Sequence, residues 1–363
     1  MTRSPLTSLA EKLLEKAKAL DAYNESHGLP PASFEHESFI DVPLELEDTR
    51  KAVIDLAQDV KRLAQGPRDL LFEILNLSTD LANLHFIYHH RIPQVVPPNG
   101  AISKPSAAKM IAAMQKYPSS GEPNETAFNL AFNTSRSFYQ ELDMEPERSR
   151  RFGGAMTWVS HGGQFSTEHL AQGFDWARFD HEKATMVDVG GGHGAVSMSI
   201  AKATRKLRFV VQDLPATVSD GARLLPTALK GRVSFMPHDF FVEQPVKGAD
   251  VYFLRYILHN WSDKYAQRIL KTLVPALKDG SSIVCCEFLP GDRSTTSWSK
   301  KQPYHMDMIQ AIGWNSIERT SSDWARLFES VDPRLQYSGT RTPPGCSVSL
   351  IEARFCAGPA KNM

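Results

Sequence analysis

Four short stretches carry side chains that could bind and activate a small molecule, and each follows an apolar run. The first is Val187-Asp188-Val189-Gly190-Gly191-Gly192-His193-Gly194. Glycines in such a string permit positive φ and let a ligand reach the backbone. Gly190, Gly192 and Ala195 also satisfy the dinucleotide spacing of glycine, any, glycine, any two, then glycine or alanine. Alone, the string reads equally as a nucleotide-type turn or as a tight strand-to-helix connection. The second stretch, Val210-Val211-Gln212-Asp213, places an acid 23 residues beyond Gly190. A strand-end Asp is often a helix cap or a surface charge. Coupled to a glycine turn, it suits an acceptor for both hydroxyls of an adenosine ribose. The third is His238-Asp239-Phe240-Phe241, where Asp239 could accept from an exocyclic amine and Phe240 cover the flat base. The fourth runs from Leu254 to Asp263 and contains Arg255 and His259, with Ser262 or Asp263 as a cap for the helix that follows.

The elements that must position these residues follow from the texture of the second half. Strand candidates at Ala184–Val189, Leu207–Val211, Val233–Met236, Ala249–Leu254 and Ser282–Glu287 alternate with helical stretches at Ala195–Lys206, Thr217–Ala228 and Asp263–Lys278. This alternation predicts an α/β fold with a doubly wound, mostly parallel sheet. Ligands then bind outside the carboxyl ends of the strands, where all four stretches fall. Cys346–Phe355 alternates apolar and polar residues with no helix after it and fits an antiparallel edge strand. The first half reads as helical. Leu6, Leu9, Leu13, Leu14, Ala17 and Leu20 form one stripe, and Val53, Leu56, Ala57, Val60, Leu63 and Ala64 another. These faces lie ahead of the main core, which favours burial in a homodimer over a self-contained bundle. Phe128 to Trp158 is helical in pattern and rich in aromatic residues. Phe132, Phe138, Phe152, Trp158 and Trp314 suit a planar acceptor as well as a plain core. The expected division is a helical dimerisation and substrate-lid domain over 1–160 and a cofactor-binding catalytic domain over 161–363.

Composition excludes several classes. The chain has 363 residues, 41 basic and 41 acidic, so it carries no charge footprint for nucleic acid or an anionic membrane. No uncharged apolar run is long enough to span a bilayer. Charges within the first twenty residues, among them Arg3, Glu11 and Lys12, interrupt any signal-peptide core. Cys285, Cys286, Cys346 and Cys356 give neither a disulfide framework nor a zinc spacing, which suits a reducing, cytoplasmic setting. No cluster has metal-ligand spacing.

Taken together, the glycine turn, Gln212-Asp213-Leu214-Pro215, His238-Asp239-Phe240-Phe241 and Leu258-His259-Asn260-Trp261-Ser262-Asp263 resemble the S-adenosylmethionine-dependent O-methyltransferases, above all plant caffeate-type enzymes and their fungal secondary-metabolism cousins. Gly121-Glu122-Pro123-Asn124-Glu125-Thr126-Ala127-Phe128 resembles the fungal branch. The likeness runs from about Gly66 to Phe355. It implies a Rossmann-like class I methyltransferase fold, S-adenosylmethionine as cofactor, and a small aromatic or polyketide metabolite whose phenolic hydroxyl is methylated. His259 matches the family's general base, and Glu287 and Glu318 its flanking carboxylates, at intervals of 28 and 31 residues. The cofactor positions match Asp188, Gly190, Gly192, Asp213, Asp239 and Phe240. Arg255 stands where plant members carry lysine. Met156 falls near the substrate. The family's winged-helix segment should lie between Ile92–Pro97 and Gly121–Pro123; residues 98–120 alone join these stretches, so that segment is shortened here. Rival readings are a protein of the same fold that uses the bound sulfonium for a pericyclic reaction or dehydration, a nicotinamide oxidoreductase suggested by the glycine spacing, and a catalytically impaired partner subunit. DNA binding through a residual helix-turn-helix has little support in a chain of balanced charge.

Overall fold

The computed structural model describes residues 5–30, 43–64, 109–145, 147–148, 150–152, 154, 165–291 and 302–358. Contacts divide the chain into two compact units, Met1–Val96 with Arg293–Gln302, and Pro97–Asp292 with Pro303–Met363. In the first, a 22-residue helix spans Pro5–Ser26 with none of its residues buried, and residues 47–64 form a second helix. Leu6, Leu14 and Leu63 are exposed.

The second unit is built on a seven-stranded sheet. Its strands are β1 (Thr185–Val189), β2 (Arg208–Asp213), β3 (Val233–Pro237), β4 (Val251–Arg255), β5 (Ser282–Glu287), β6 (Leu335–Arg341) and β7 (Ser349–Phe355), in the order β3-β2-β1-β4-β5-β7-β6. β1 to β5 pair in parallel, whereas β7 runs antiparallel to both β5 and β6. Successive strand residues point to opposite faces, and both faces here are covered. Val187, Val189, Tyr252, Leu254, Ile283 and Cys285 face one core, while Met186, Val251, Phe253, Val284 and Cys286 face the other. Burial on both sides explains why these strands read as unbroken apolar runs. It also places the adjacent Cys285 and Cys286 in different cores; none of the four cysteines is in a disulfide.

The alternation at Cys346–Phe355 predicts that the last strand is the sheet edge, and the structure differs. β7 lies inside, between β5 and β6, and the edge is Leu335–Arg341. That strand is half-exposed, contains Ser338, Gly339 and Thr340, and shifts register between Tyr337 and Gly339. A bulged polar edge leaves no alternating pattern to read. Helix ends also moved where proline intervenes. The helix after β2 is Pro215–Leu224, stopping before Leu225-Pro226, and Asp263–Leu273 gives way to a 3-10 turn at Val274–Ala276 that holds Pro275. The aromatic stretch begins as two short helices, Ala127–Phe132 and Phe138–Asp143, each opened by a capping box, from Thr126 to Asn129 and from Ser137 to Gln140.

Strand order reverses between β1 and β4, so a crevice opens at their carboxyl ends. The glycine turn leaves β1 on one side of it, and the His259 loop leaves β4 on the other.

Candidate active site

The glycine turn is held by its neighbours. Gly190 has φ +70 and Gly192 φ +58, conformations that favour glycine. A Cβ on Gly190 would come within 2.5 Å of Ile257 Cδ1, so this residue is roofed by the His259 loop. A Cβ on Gly192 would meet nothing within 4 Å, so this glycine borders open space. Gly191 N donates to Gln212 O at 2.9 Å, tying the turn to the end of β2. Beneath it, Asp188 is buried and accepts from Ser197 Oγ at 2.6 Å. Burial pushes its carboxyl up to about 6, although the Ser197 hydroxyl opposes this. Asp188 thus supports the turn from inside the fold.

Asp213 stands at the rim. Its Oδ2 accepts from Gly192 N at 2.9 Å and its Oδ1 from Leu214 N at 2.8 Å. Burial raises its pKa, against the pull of those two N–H groups. The Thr217 hydroxyl also draws on this carboxylate; a carboxylate offers about four acceptor sites, so capacity remains for a ribose hydroxyl. Asp239 is exposed and caps its own loop, accepting from Phe241 N at 2.8 Å. The Phe240 ring lies 6.2 Å from that of Trp261. Open space over Gly192, a carboxylate with spare acceptor capacity and an aromatic wall fit an adenosyl group at the carboxyl rim. Arg255 is half-buried, donates from Nη2 to Phe165 O at 2.9 Å, and holds its guanidinium carbon 4.7 Å from the Tyr256 ring centroid. Met156 lies outside the described residues.

The loop after β4 presents His259 through an unusual backbone. Tyr256 has φ +56, a left-handed conformation that costs an L residue about 1 kcal/mol. Tyr256 N donates to Cys286 O at 3.2 Å, and Asn260 Nδ2 donates to Tyr256 O at 2.9 Å. Glu287, the last residue of β5, secures the next two residues. Its Oε1 accepts from Ile257 N and Leu258 N, each at 3.0 Å. Leu258–Asn260 then forms a single 3-10 turn. Ser262 occupies the cap position of the following helix without making a side-chain cap; its Oγ instead donates to Gly121 O at 2.7 Å. Tyr265 Oη donates to Glu122 at 2.6 Å and Lys264 pairs with the same carboxylate, so the Gly121–Phe128 stretch is fastened to the His259 loop.

His259 is 5% exposed. Its Nδ1 lies 2.8 Å from Glu318 Oε1 and 3.7 Å from Glu287 Oε2. The three predicted catalytic side chains therefore meet, although 59 residues separate His259 from Glu318. Burial alone would push the imidazole pKa down; the two carboxylates outweigh it and raise it. Glu287 is pushed up to about 7, chiefly by burial and further by Glu318, with His259 and the two loop N–H groups opposing.

Two residues of this assembly escaped the sequence reading. Gln310, in the Gln302–Trp314 helix, is 2% exposed and its side-chain amide lies 3.2 Å from His259 Nδ1. Arg319 is 1% exposed and clamps the Leu258–Asn260 turn at both ends. Its Nη1 donates to Leu258 O at 2.9 Å, its Nη2 to Trp261 O at 2.8 Å and its Nε to Asp263 at 2.8 Å. A buried polar residue within an apolar helix was the available signal for Gln310. For Arg319 the signal was its place directly after Glu318, the carboxylate that the resemblance implies.

An imidazole flanked by two carboxylates thus stands beside a glycine turn with a strand-end acid, at the carboxyl ends of β1 and β4. The sequence profile of the O-methyltransferase domain family matches residues 116–331, more than half of the chain. The chain belongs to this family. It is 33% identical over 398 residues to the grayanic acid biosynthesis cluster O-methyltransferase of Cladonia grayi, covering 96% of this chain and 88% of that one. It is 29% identical over 420 residues to the chlorophenol O-methyltransferase of Trichoderma longibrachiatum, covering 96% and 90%. Both alignments exceed 363 positions, so these relatives carry residues without counterparts here. Among solved structures, an O-methyltransferase from neocarzinostatin biosynthesis, in complex with S-adenosylmethionine and 2-hydroxy-5-methyl naphthoic acid, matches with a TM-score of 0.55 and 25% identity over 69% of each chain. The protein is thus an S-adenosylmethionine-dependent O-methyltransferase of the secondary-metabolite type. Among the described residues no helix is long and apolar enough to cross a membrane, and no group of three His, Cys, Asp or Glu could hold a metal ion.

Proposed function

We propose that this enzyme methylates a phenolic hydroxyl of a small aromatic or polyketide metabolite, with His259 as general base. The carrying observation is the 2.8 Å contact between His259 Nδ1 and Glu318. A neutral imidazole with its hydrogen on Nδ1 donates it to Glu318, which leaves the Nε2 lone pair to take a proton. Bound S-adenosylmethionine supplies a methyl group on a sulfonium whose leaving group is a neutral thioether. The protein's own work is then to align the acceptor and strip its proton. A phenol ionises near pH ~10, so little phenolate is present at neutrality. His259 receives that proton, and Glu318 and Glu287 stabilise the imidazolium. Alignment can account for roughly 7–11 kcal/mol of the barrier.

Gly190, Gly192 and Asp213 are assigned to the adenosyl group, with Asp239 and Phe240 at the adenine. Asp188 acts through the turn it supports, and Arg255 through the end of β4. Residues 1–160 are assigned to a homodimer interface and substrate lid, a reading supported by the exposed Leu6, Leu14 and Leu63. The deciding experiment offers methyl-labelled S-adenosylmethionine and a panel of phenols and follows products by mass spectrometry. Label on an aryl ether oxygen supports the reading. Conversion of the acceptor with the label retained on the donor overturns it.

Two predictions follow from the environment of Nδ1. Glu318→Gln removes a negative charge from beside the imidazole, so the imidazole pKa falls. The base works when neutral; the acid limb of the kcat/KM profile therefore moves to lower pH. The plateau drops by roughly 10- to 100-fold, a part of the 10²–10⁴ that general-base catalysis typically supplies. An unshifted limb would contradict the pairing. Gln310→Leu removes the amide that packs against Nδ1. We expect kcat to fall about tenfold, with S-adenosylhomocysteine affinity unchanged by calorimetry and activity recovered in part by Gln310→Glu. Full activity in the leucine variant would make Gln310 mere filling.

A further inference from the structure

The aromatic wall beside the His259 loop carries two polar atoms with no part in the proton transfer. Trp314 closes the Gln302–Trp314 helix and is 8% exposed, and its buried indole Nε1 has no hydrogen-bond partner. An unpaired buried N–H carries a desolvation penalty that a hydrogen bond would remove. Tyr139 is half-buried, with its ring 6.2 Å from that of Trp314 and 6.5 Å from that of Trp261, nearly parallel to the latter at 25°. Trp261 is two residues beyond His259, so this wall adjoins the base. Phe138 and Phe152 stand edge-on to Tyr139 at 5.6 and 6.3 Å. The other unpaired buried indole, that of Trp324, lies near the Arg319 guanidinium within the core and away from this wall.

The chemistry of the two tips restricts what they can hold. An indole N–H only donates, so its partner must be an accepting oxygen. The indole N–H leans towards the Tyr139 phenol and opposes the rise that burial gives its pKa, without reaching hydrogen-bond geometry; the phenol hydroxyl can donate to the same incoming atom. Burial, with the charges of Glu287 and Asp213, opposes a negative charge at Tyr139; a neutral oxygen is favoured there over a carboxylate. The surrounding rings call for a flat framework. Resting on the reading of this site as one that methylates a phenol, we infer that Tyr139 and Trp314 bind a second oxygen of the acceptor, a neutral carbonyl on the same aromatic framework as the reacting hydroxyl.

The test uses the full chain loaded with S-adenosylhomocysteine. Calorimetry compares ortho-, meta- and para-hydroxyacetophenone with the matching ethylphenols and hydroxybenzoates. At least one ketone should bind about tenfold more tightly than its ethyl and carboxylate counterparts, because only the ketone satisfies the waiting donors. Tyr139→Phe, which keeps the ring, and Trp314→Phe should each reduce that preference at least threefold or so, with S-adenosylhomocysteine affinity unchanged. Equal binding across every ketone–ethyl pair overturns the inference, as does a preference that survives both substitutions. A preference for the hydroxybenzoates overturns the neutral oxygen. Methyl transfer to the same phenols is scored separately. Preference without transfer overturns the proposed methylation and leaves this inference standing; transfer without preference overturns this inference alone.

Discussion

His259→Gln should lower kcat/KM for phenol methylation by about 10²–10⁴, the usual worth of a positioned general base, and leave the affinity for S-adenosylhomocysteine unchanged. Glutamine fills much of the same space and offers no lone pair basic enough to take a phenolic proton. The fold should tolerate the change. Removing the imidazole leaves Glu287 and Glu318 buried side by side, yet Glu287 already holds its proton up to about pH 7. A buried acid that loses its cationic partner neutralises rather than unfolding the protein. Its Oε1 also keeps the Ile257 and Leu258 N–H groups, so the loop stays in place. Circular dichroism and cofactor calorimetry on the same preparation separate lost chemistry from lost structure. Weakened cofactor binding of similar size would mean that His259 shapes the pocket instead of serving as its base.

The second large effect is expected at Asp213. Asp213→Ala removes the carboxylate assigned to the ribose, where a hydrogen bond to a charged group is worth about 1.5–3 kcal/mol. Loss of that bond should weaken S-adenosylhomocysteine binding by up to about 10²-fold. The same substitution frees Gly192 N and Leu214 N. Both lie at the rim where water can replace the lost acceptor, so stability should fall by only about 1 kcal/mol. Asp213→Asn keeps one acceptor oxygen and should fall between the two proteins. Equal calorimetric affinities for wild type and the alanine variant would remove the ribose role. A loss of stability matching the loss of affinity would make Asp213 a structural tie of the turn.

Legibility in the sequence followed burial. β1, β4 and β5 were readable because both faces are covered, so their apolar runs are uninterrupted; β6 was not, because its bulged and half-exposed edge carries Ser338, Gly339 and Thr340 in place of an apolar pattern. The glycine turn and Asp213 were readable because positive φ and a strand-end acid leave local marks. His259, Glu287 and Glu318 emerged from resemblance, since no local pattern tells that residues 28 and 59 positions apart will share one nitrogen. Gln310 and Arg319 were hidden for the same reason. Their partners are the ring and carbonyls of a turn 51 to 61 residues earlier, and only the finished packing brings them there. Helix capping gave a similar lesson. Ser262 has the composition of a cap, but its hydroxyl is taken by Gly121 O, 141 residues upstream.

The role proposed for His259 is to correct an imbalance in acidity between phenol and imidazole. The ratio of kcat/KM between wild type and His259→Gln across phenols of graded acidity, from cresol to nitrophenol, measures it. If the imidazole takes the proton, the ratio is largest for cresol and shrinks towards unity for nitrophenol, which ionises without help. The same ratio for every phenol would contradict a base at this position.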